Sequence, residues 1–442
     1  VRRLLTFALP FVALLAAAPA WAQSPSTGPS LGGPVATVDI VKVHGIVDPT
    51  VVGFVTDELR DAEARGSTVI LQLDAEGSYD DLGQSLGVTI LRTRVPVVTW
   101  VGPIGARVQG GAMFVAYSSG LVAIAPGAGI GPARPFDAAT AAAAEPKAQV
   151  ATDSAALATV AEGAGVPSSA VVTVVERALP AGPAREAGAV AVVAANVTDL
   201  LRAIDGRTVR TGAGPVTLAT VTAEGRPLTV RFVEPGPVDR FLHAISTPAA
   251  VYVLVVLGVW GIAFELTQPA LGVAGIAGVL ALAAATYGLT VIPVSWIGFA
   301  ILIAGMALQW LDVAFRRLAW LTGIGTAMFA VGSWLAWREV APTIDLSWWL
   351  IVLFTVAGLL FFGFGLTVAM RSREQIRTAQ VGLVGLVGEV RSDLNPEGGV
   401  FVKGTLWRAR SMNGHISKGR RVRVKGIDGL ILRVEEEPDQ RD

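Results

Sequence analysis

The 442-residue chain has no cysteine, so no disulfide braces it and no thiolate is available as nucleophile or metal ligand. Its three histidines, His44, His243 and His415, lie far apart. That scarcity argues against a histidine zinc site and a Ser-His-Asp triad, leaving His44 as a lone acid or base. Formal charge sums to zero. What charge there is avoids residues 249–370 almost entirely.

That stretch holds apolar runs at 249–264, 271–289, 296–311, 318–337 and 348–370, separated by short breaks carrying Pro or charge. At ~1.5 Å per residue, each is about the length needed to cross ~30 Å of hydrocarbon as a helix. The first reaches that length only with 243–247 joined across Pro248. None shows the polar face of a soluble helix, so 241–370 is read as a polytopic membrane domain of about five spans. Gly272, Gly275 and Gly278 recur on one side of the second span, where small residues let helices approach closely.

At the N-terminus, Arg2 and Arg3 precede an apolar run at 4–18, and Ala20-Trp21-Ala22 follows. This pattern predicts a secretory signal over 1–22, followed by a Ser/Gly/Pro-rich linker over 23–34. Residues 35–240 are then exported, and five spans put the C-terminal tail in the cytoplasm of a bacterial-type plasma membrane. Loop charge agrees. Arg316-Arg317 and the Arg371, Arg373 pair fall on the cytoplasmic side, whereas 338–347 offers one Arg against Glu339 and Asp345.

Within 35–240, β-branched runs at 38–47, 68–73 and 95–101 alternate with helical patterns at 51–65 and 82–94. The alternation predicts βαβαβ with parallel strands. A fourth strand is expected at 120–125, a short helix at 200–204, and a hairpin of 216–221 with 228–233. Asp74-Ala75-Glu76-Gly77-Ser78 ends the second strand, and Gly110-Gly111-Ala112 opens a helix. In an open α/β sheet, such turns line the crevice at the carboxyl ends of strands. The backbone N–H groups of Gly77, Ser78 and Gly111 are candidate oxyanion-type donors there.

The segment GARVQGGAMFVAYSSGLVAIAPGAGIGPARP at 105–135 resembles the nucleophile region of the ClpP-like membrane serine proteases of the NfeD family. DAEGS resembles that family's D-T-P-G-G turn, and AREAGAVAVVAANVTDLLRAIDG at 184–206 its domain ending. Phe264-Glu265-Leu266 with Pro269 is similar to its first membrane loop, and GLVGEVRSDLNPEGGVFVKGTLWRAR to its C-terminal domain. The resemblance implies an exported α/β ClpP/crotonase-like domain, a helical membrane domain and, over 381–437 after a 371–380 linker, a small OB-fold barrel. It also implies a Ser–Lys dyad, with Lys147 at the lysine position and Gly110 where the nucleophilic serine would stand. Glycine has no oxygen to attack with. Ser118 and Ser119 lie roughly 12 Å further along a helix axis, too far to share the same donors. Arg107 precedes the site as a permanent charge, expected in the pocket.

Strand-like runs at 384–390, 399–402, 405–409, 421–424 and 430–434, with turns at 396–399, 413–414 and 428–429, suit a barrel. From Arg371 onward, 14 Lys/Arg face 10 Asp/Glu, but Phe401 and Trp407 are the only aromatics, too few for a nucleic-acid groove. No metal or cofactor is expected. The reading is a degenerate protease acting as a scaffold, in contact with lipid and other copies of itself. The resemblance implies a stomatin/flotillin-type membrane partner. The alternative is an active serine protease cutting hydrophobic segments of that partner.

Overall fold

The computed structural model describes residues 37–140, 144–266, 272–315, 319–338, 346–366 and 382–437. The signal segment, the 23–34 linker, Pro269, Arg316, Arg317, Glu339, Asp345 and the 371–380 linker lie outside them.

The N-terminal part begins as its alternation predicts. Strand β1 (Thr37–Val47) is followed by helix α1 (Pro49–Arg65), β2 (Thr68–Ser78), α2 (Leu82–Arg92) and β3 (Val97–Val101). Helix α1 starts where Asp48 accepts the Val51 N–H at 2.8 Å and Pro49 fills the first turn. It stops at Gly66, whose φ of 66° is the left-handed C-cap that glycine adopts without penalty. Both faces of β3 are buried, as parallel strands between helices require. The chain continues through β4 (Arg107–Val108), α3 (Ala112–Tyr117), β5 (Leu121–Ile124), β6 (Gly129–Ile130), α4 (Lys147–Gly163), α5 (Ser168–Glu176), β7 (Leu179–Pro180), α6 (Ala181–Glu186), β8 (Val192–Val193) and α7 (Val197–Ile204).

Strands β1, β2, β3, β5 and β8 pair in parallel in that order. β2 is paired with β3 as far as Leu73, then turns to β4 at Ala75. The sheet therefore splays at the carboxyl end of β2, and a crevice opens there.

Of the expected hairpin at 216–221 and 228–233 only the tip forms, an antiparallel bridge of Val221 with Pro227 flanked by the Leu228 N–H to Thr220 O and Thr222 N–H to Arg226 O bonds. The hairpin is instead β9 (Thr208–Thr211) with β10 (Gly214–Thr217), whereas β11 (Thr229–Val233) adds to the main sheet parallel to β1. The cause is long-range. Asp39 on β1 is buried and accepts from Arg231 of β11 at 2.9 Å and from Arg65 at 3.1 Å. Burial alone would raise the Asp39 carboxyl, but the two guanidinium groups outweigh it and hold the group below its ordinary value.

Helix α8 (Pro237–Ile245) joins this unit to the membrane bundle. Three contacts fix the junction. Tyr79 Oη donates to the Ser246 carbonyl at 3.2 Å, Thr50 and Tyr287 hydroxyls lie 3.0 Å apart, and His243 Nδ1 meets Asp48 at 2.7 Å. The Asp48 carboxylate raises the His243 imidazole above its ordinary value, with burial pulling the other way. Tyr79 and Ala138 pack into the same apolar cluster as Val251 and Tyr252, so the crevice end of the α/β unit rests on the bundle.

The bundle comprises α9 (Pro248–Glu265), α10 (Val273–Val291), α11 (Trp296–Phe315), α12 (Ala319–Trp337) and α13 (Trp348–Leu360), which runs on as a π-helical turn over Phe361–Leu366. By length and composition, α9, α10 and α11 are apolar enough to cross a membrane, and Trp348–Phe364 is a shorter apolar helix. Glycines set the packing. A Cβ on Gly278 would lie 2.7 Å from Gly258 O, and one on Gly305 would lie 2.6 Å from Phe329 N and 2.7 Å from Gly325 O. Backbones therefore touch along the α9–α10 and α11–α12 pairs. The edge acids act as caps: Glu265 accepts from the N–H groups of Gly272 and Gly275, and Asp312 from Thr322 N at 3.0 Å and Oγ1 at 2.6 Å.

The C-terminal residues form a closed barrel of β12 (Val387–Val390), β13 (Glu397–Val402), β14 (Thr405–Ser411), β16 (Ile431–Glu436) and β15 (Arg421–Asp428). Val390, Val400, Val402, Ala409, Val422, Val424, Leu432 and Val434 alternate inward as its core. The turn expected at 396–399 is strand instead: Glu397–Gly399 pairs with Arg408–Arg410. The tight turn lies at Lys403-Gly404, where both residues have positive φ (48° and 85°). Trp407 is half-buried against the core.

Candidate functional site

The crevice is built where β2 ends, α2 and α3 begin, and the 131–140 loop returns. Ser78, Gly111, Phe114, Phe136 and Gln149 are among the residues enclosing about 310 Å³. Gly110 sits one residue before the Gly111 N-cap of α3 with φ of 57°, a left-handed conformation that suits glycine. Its N–H is spent on the Pro132 carbonyl at 2.9 Å. A Cβ at this position would stand 2.9 Å from Pro135 O and 3.1 Å from Gly77 Cα, both backbone atoms. There is no hydroxyl at the position and no room for the carbon that would carry one.

Ser78 is 1% exposed, and its Oγ takes no hydrogen bond among the described residues. It is wedged between Gly83 and Gly111, where a methyl on either glycine would collide with it. Its carbonyl accepts from Ala138 at 2.9 Å, tying the 131–140 loop to the end of β2. Glu145 holds the same loop from the other side, accepting from Phe136 N at 2.7 Å and Arg134 Nε at 3.2 Å. Asp137 accepts from Asp80 N at 2.9 Å and Ala139 N at 2.8 Å.

The residues singled out from the sequence are only partly assembled. Gly77, Ser78, Gly110 and Gly111 do converge at the splayed end of β2. Lys147 does not join them: it is exposed at the first turn of α4, and its neighbours Pro146 and Gln149 line the crevice while it does not. Arg107, expected in the pocket, is exposed on β4, its backbone N–H bonded to Asp74 at 2.9 Å. β4 lies between β2 and β6, and the alternation that buries Val108 turns the Arg107 side chain to solvent. Ser118 and Ser119 are buried outside the crevice, and Ser119 Oγ donates to Ala116 O at 2.7 Å. His44 is 84% exposed with Asp74 at 3.8 Å.

Sequence reasoning missed the acidity of this place. Asp80, Asp81, Asp137, Glu145 and Asp153 line one cavity although they come from three stretches of chain. Asp80 and Asp81 beside the DAEGS turn and Glu145 before Pro146 were readable as its neighbours. Asp153, buried on α4, carried no local signal.

Residues 249–369 match the NfeD integral membrane domain, and residues 381–436 the NfeD-like C-terminal, partner-binding domain. The "Membrane-bound protease PH1510" of Pyrococcus horikoshii is 29% identical over 392 residues, 83% of this chain and 85% of the relative. Among solved structures, a mutant of "1510-N membrane-bound stomatin-specific protease" with a substrate peptide aligns at TM-score 0.43 and 22% identity, covering 48% of this chain and 97% of that one. The "C-terminal domain of stomatin operon partner protein 1510-C" from Pyrococcus horikoshii is 50% identical over 14% of this chain and all of its own length, TM-score 0.14. A parallel α/β unit, a helical membrane domain and a closed five-stranded barrel make this a membrane protein of modular architecture. The chain thus carries both NfeD domains, over 249–369 and 381–436, in the order its sequence motifs predict.

Proposed function

We propose that this protein is a silent hydrolase whose exported unit holds a membrane partner without cutting it, while its C-terminal barrel engages that partner or its assembly. The observation that carries this reading is Gly110. Its backbone leaves 2.9 Å between a Cβ and Pro135 O, so the site is closed to the side chain that hydrolysis would need. Lys147, at the dyad position, is a solvated residue on α4 rather than a desolvated base. The donors proposed at Gly77, Ser78 and Gly111 then serve to hold a peptide carbonyl.

A stomatin-type partner is supported by the relatives, a stomatin-specific protease and a stomatin operon partner protein. It is supported too by the match of 381–436 to a partner-binding domain. The membrane topology is part of the same reading. Helices α9 to α13 alternate in direction through the α9–α10 and α11–α12 backbone contacts. Trp296, Trp334, Trp348 and Trp349 then gather, exposed, at the end of the bundle nearest the exported unit, as an interfacial aromatic belt would. The C-terminal barrel falls on the opposite side. Outward-facing Val273, Ile276, Val279 and Leu280 on α10 suit lipid or a second copy.

Mutual capture with a stomatin-type protein from detergent extracts tests the reading, with mass spectrometry of the captured partner. The expected result is an intact partner retained through the barrel. A partner recovered as defined fragments, or binding unchanged after deletion of 381–437, contradicts it.

A further inference from the structure

Five carboxylates line the crevice at the end of β2. We infer that it binds a single organic cation, the guanidinium or ammonium group of an arginine or lysine side chain on an extended peptide. This rests on the reading above that the exported unit holds a partner segment.

Charge comes first. Asp80 and Asp81 are exposed at the mouth, and Asp137, Glu145 and Asp153 stand further in. Arg134 engages Glu145. No Lys, Arg or His meets the other four carboxylates within 4.0 Å among the described residues. Asp153 is 8% exposed, and among the described residues its oxygens accept only from the amides of Gln84 at 3.2 Å and Gln149 at 3.1 Å. Neutral donors orient that carboxylate without cancelling its charge. Buried carboxylates without a counter-ion are costly, and a cationic ligand relieves the cost. Asp137 carries the mark of this: burial holds it above its ordinary value, and the neighbouring Asp80 and Glu145 charges push the same way.

The second observation is independent of the acids. Ser78, a residue 1% exposed, borders the inner wall, and its Oγ takes no hydrogen bond among the described residues. A hydroxyl left unpaired in a polar cavity is rare in folded proteins and points to a group that arrives from outside. A guanidinium with five N–H donors suits it and the carboxylates together.

The third is the wall. Phe114 and Phe136, ring centroids 5.9 Å apart, line the same cavity. They offer apolar surface for an alkyl stem and ring faces for a cation. This favours a long organic cation over a bare metal ion, for which no cluster of three ligating side chains exists among the described residues. The about 310 Å³ of space is also far more than one ion needs. Because Tyr79 and Ala138 pack on the bundle, the cation sits next to the membrane surface. A basic residue flanking a partner's membrane segment would meet it there.

The test uses the full chain in nanodiscs and a fluorescein-labelled Ala/Gly octapeptide with one central arginine. Peptides with citrulline, which keeps the shape without the charge, or with leucine replace it. Anisotropy is expected to show the arginine peptide binding at least about tenfold more tightly than the citrulline peptide. Asp153→Asn should narrow that gap, and Asp81→Asn, on the exposed rim, keeps the test open if the first variant misfolds. Equal binding of arginine and citrulline peptides, or binding of neither, overturns the inference. The peptide recovered afterwards separates the two claims. Cleaved arginine peptide with intact charge selectivity defeats the silent-hydrolase reading alone; uncleaved peptide bound without selectivity defeats this one alone.

Discussion

Restoring the missing hydroxyl by Gly110→Ser should not restore hydrolysis. An L-residue in the left-handed region costs about 1–2 kcal/mol, and forcing an extra carbon into a packed site costs about 1–3 kcal/mol more. At Gly110 both terms apply: φ is 57°, and the obstructing atoms, Pro135 O and Gly77 Cα, are backbone. Pro135 belongs to a loop held by Glu145 and by the Ala138–Ser78 bond, so it does not yield cheaply. The sum is a destabilisation of about 2–5 kcal/mol. For a unit of this size it corresponds to a drop of roughly 5–15 °C in Tm. Thermal unfolding of the purified full chain measures the drop, and a fluorogenic apolar peptide measures activity. Gly110→Ala, which brings the strain without the oxygen, should fall by a similar amount. If Gly110→Ser melts like the parent and hydrolyses the peptide while Gly110→Ala does not, the steric argument is wrong.

Three further outcomes are expected. His243 is raised by Asp48, so its contribution to docking is complete below about pH 6.5 and lost as pH climbs through the higher folded value; Tm should fall between those limits, and in His243→Gln that part of the fall should disappear. Gly305→Ala should weaken the α11–α12 pair by about 1–3 kcal/mol in detergent unfolding, whereas Gly323→Ala, with nothing within 4 Å of its Cβ, should be near neutral. Asp312→Ala should cost about 1–3 kcal/mol by stranding the Thr322 N–H, and should leave ion flux in proteoliposomes unchanged, because the acid is a cap and not a transport group.

Periodicity carried most of the architecture. The β-branched runs and helical spacings of 38–101 gave parallel βαβαβ because each element buries its own local pattern. The glycines at 272, 275 and 278 likewise announced close helix contact, since only small residues permit it. The edge strand β11 was hidden because its partner lies almost two hundred residues earlier, and Asp39 gives no sign in sequence that Arg231 will reach it. The strand-like runs at 399–402 and 405–409 leave Lys403-Gly404 between them, but lysine gives no sign of the positive φ that it adopts there. The site divided in the same way. Gly110 and Ser78 were legible from their motifs, but the burial of Asp153 and the exposure of Lys147 depend on how α4 lies against the sheet.

Active-site labelling of the native membrane preparation addresses the central claim most directly. A fluorophosphonate probe applied to the full chain, with Ser78→Ala alongside, should give no signal above that of the heat-denatured protein. Stoichiometric labelling that one Ser→Ala change abolishes would show an attacking oxygen that the geometry around Gly110 denies.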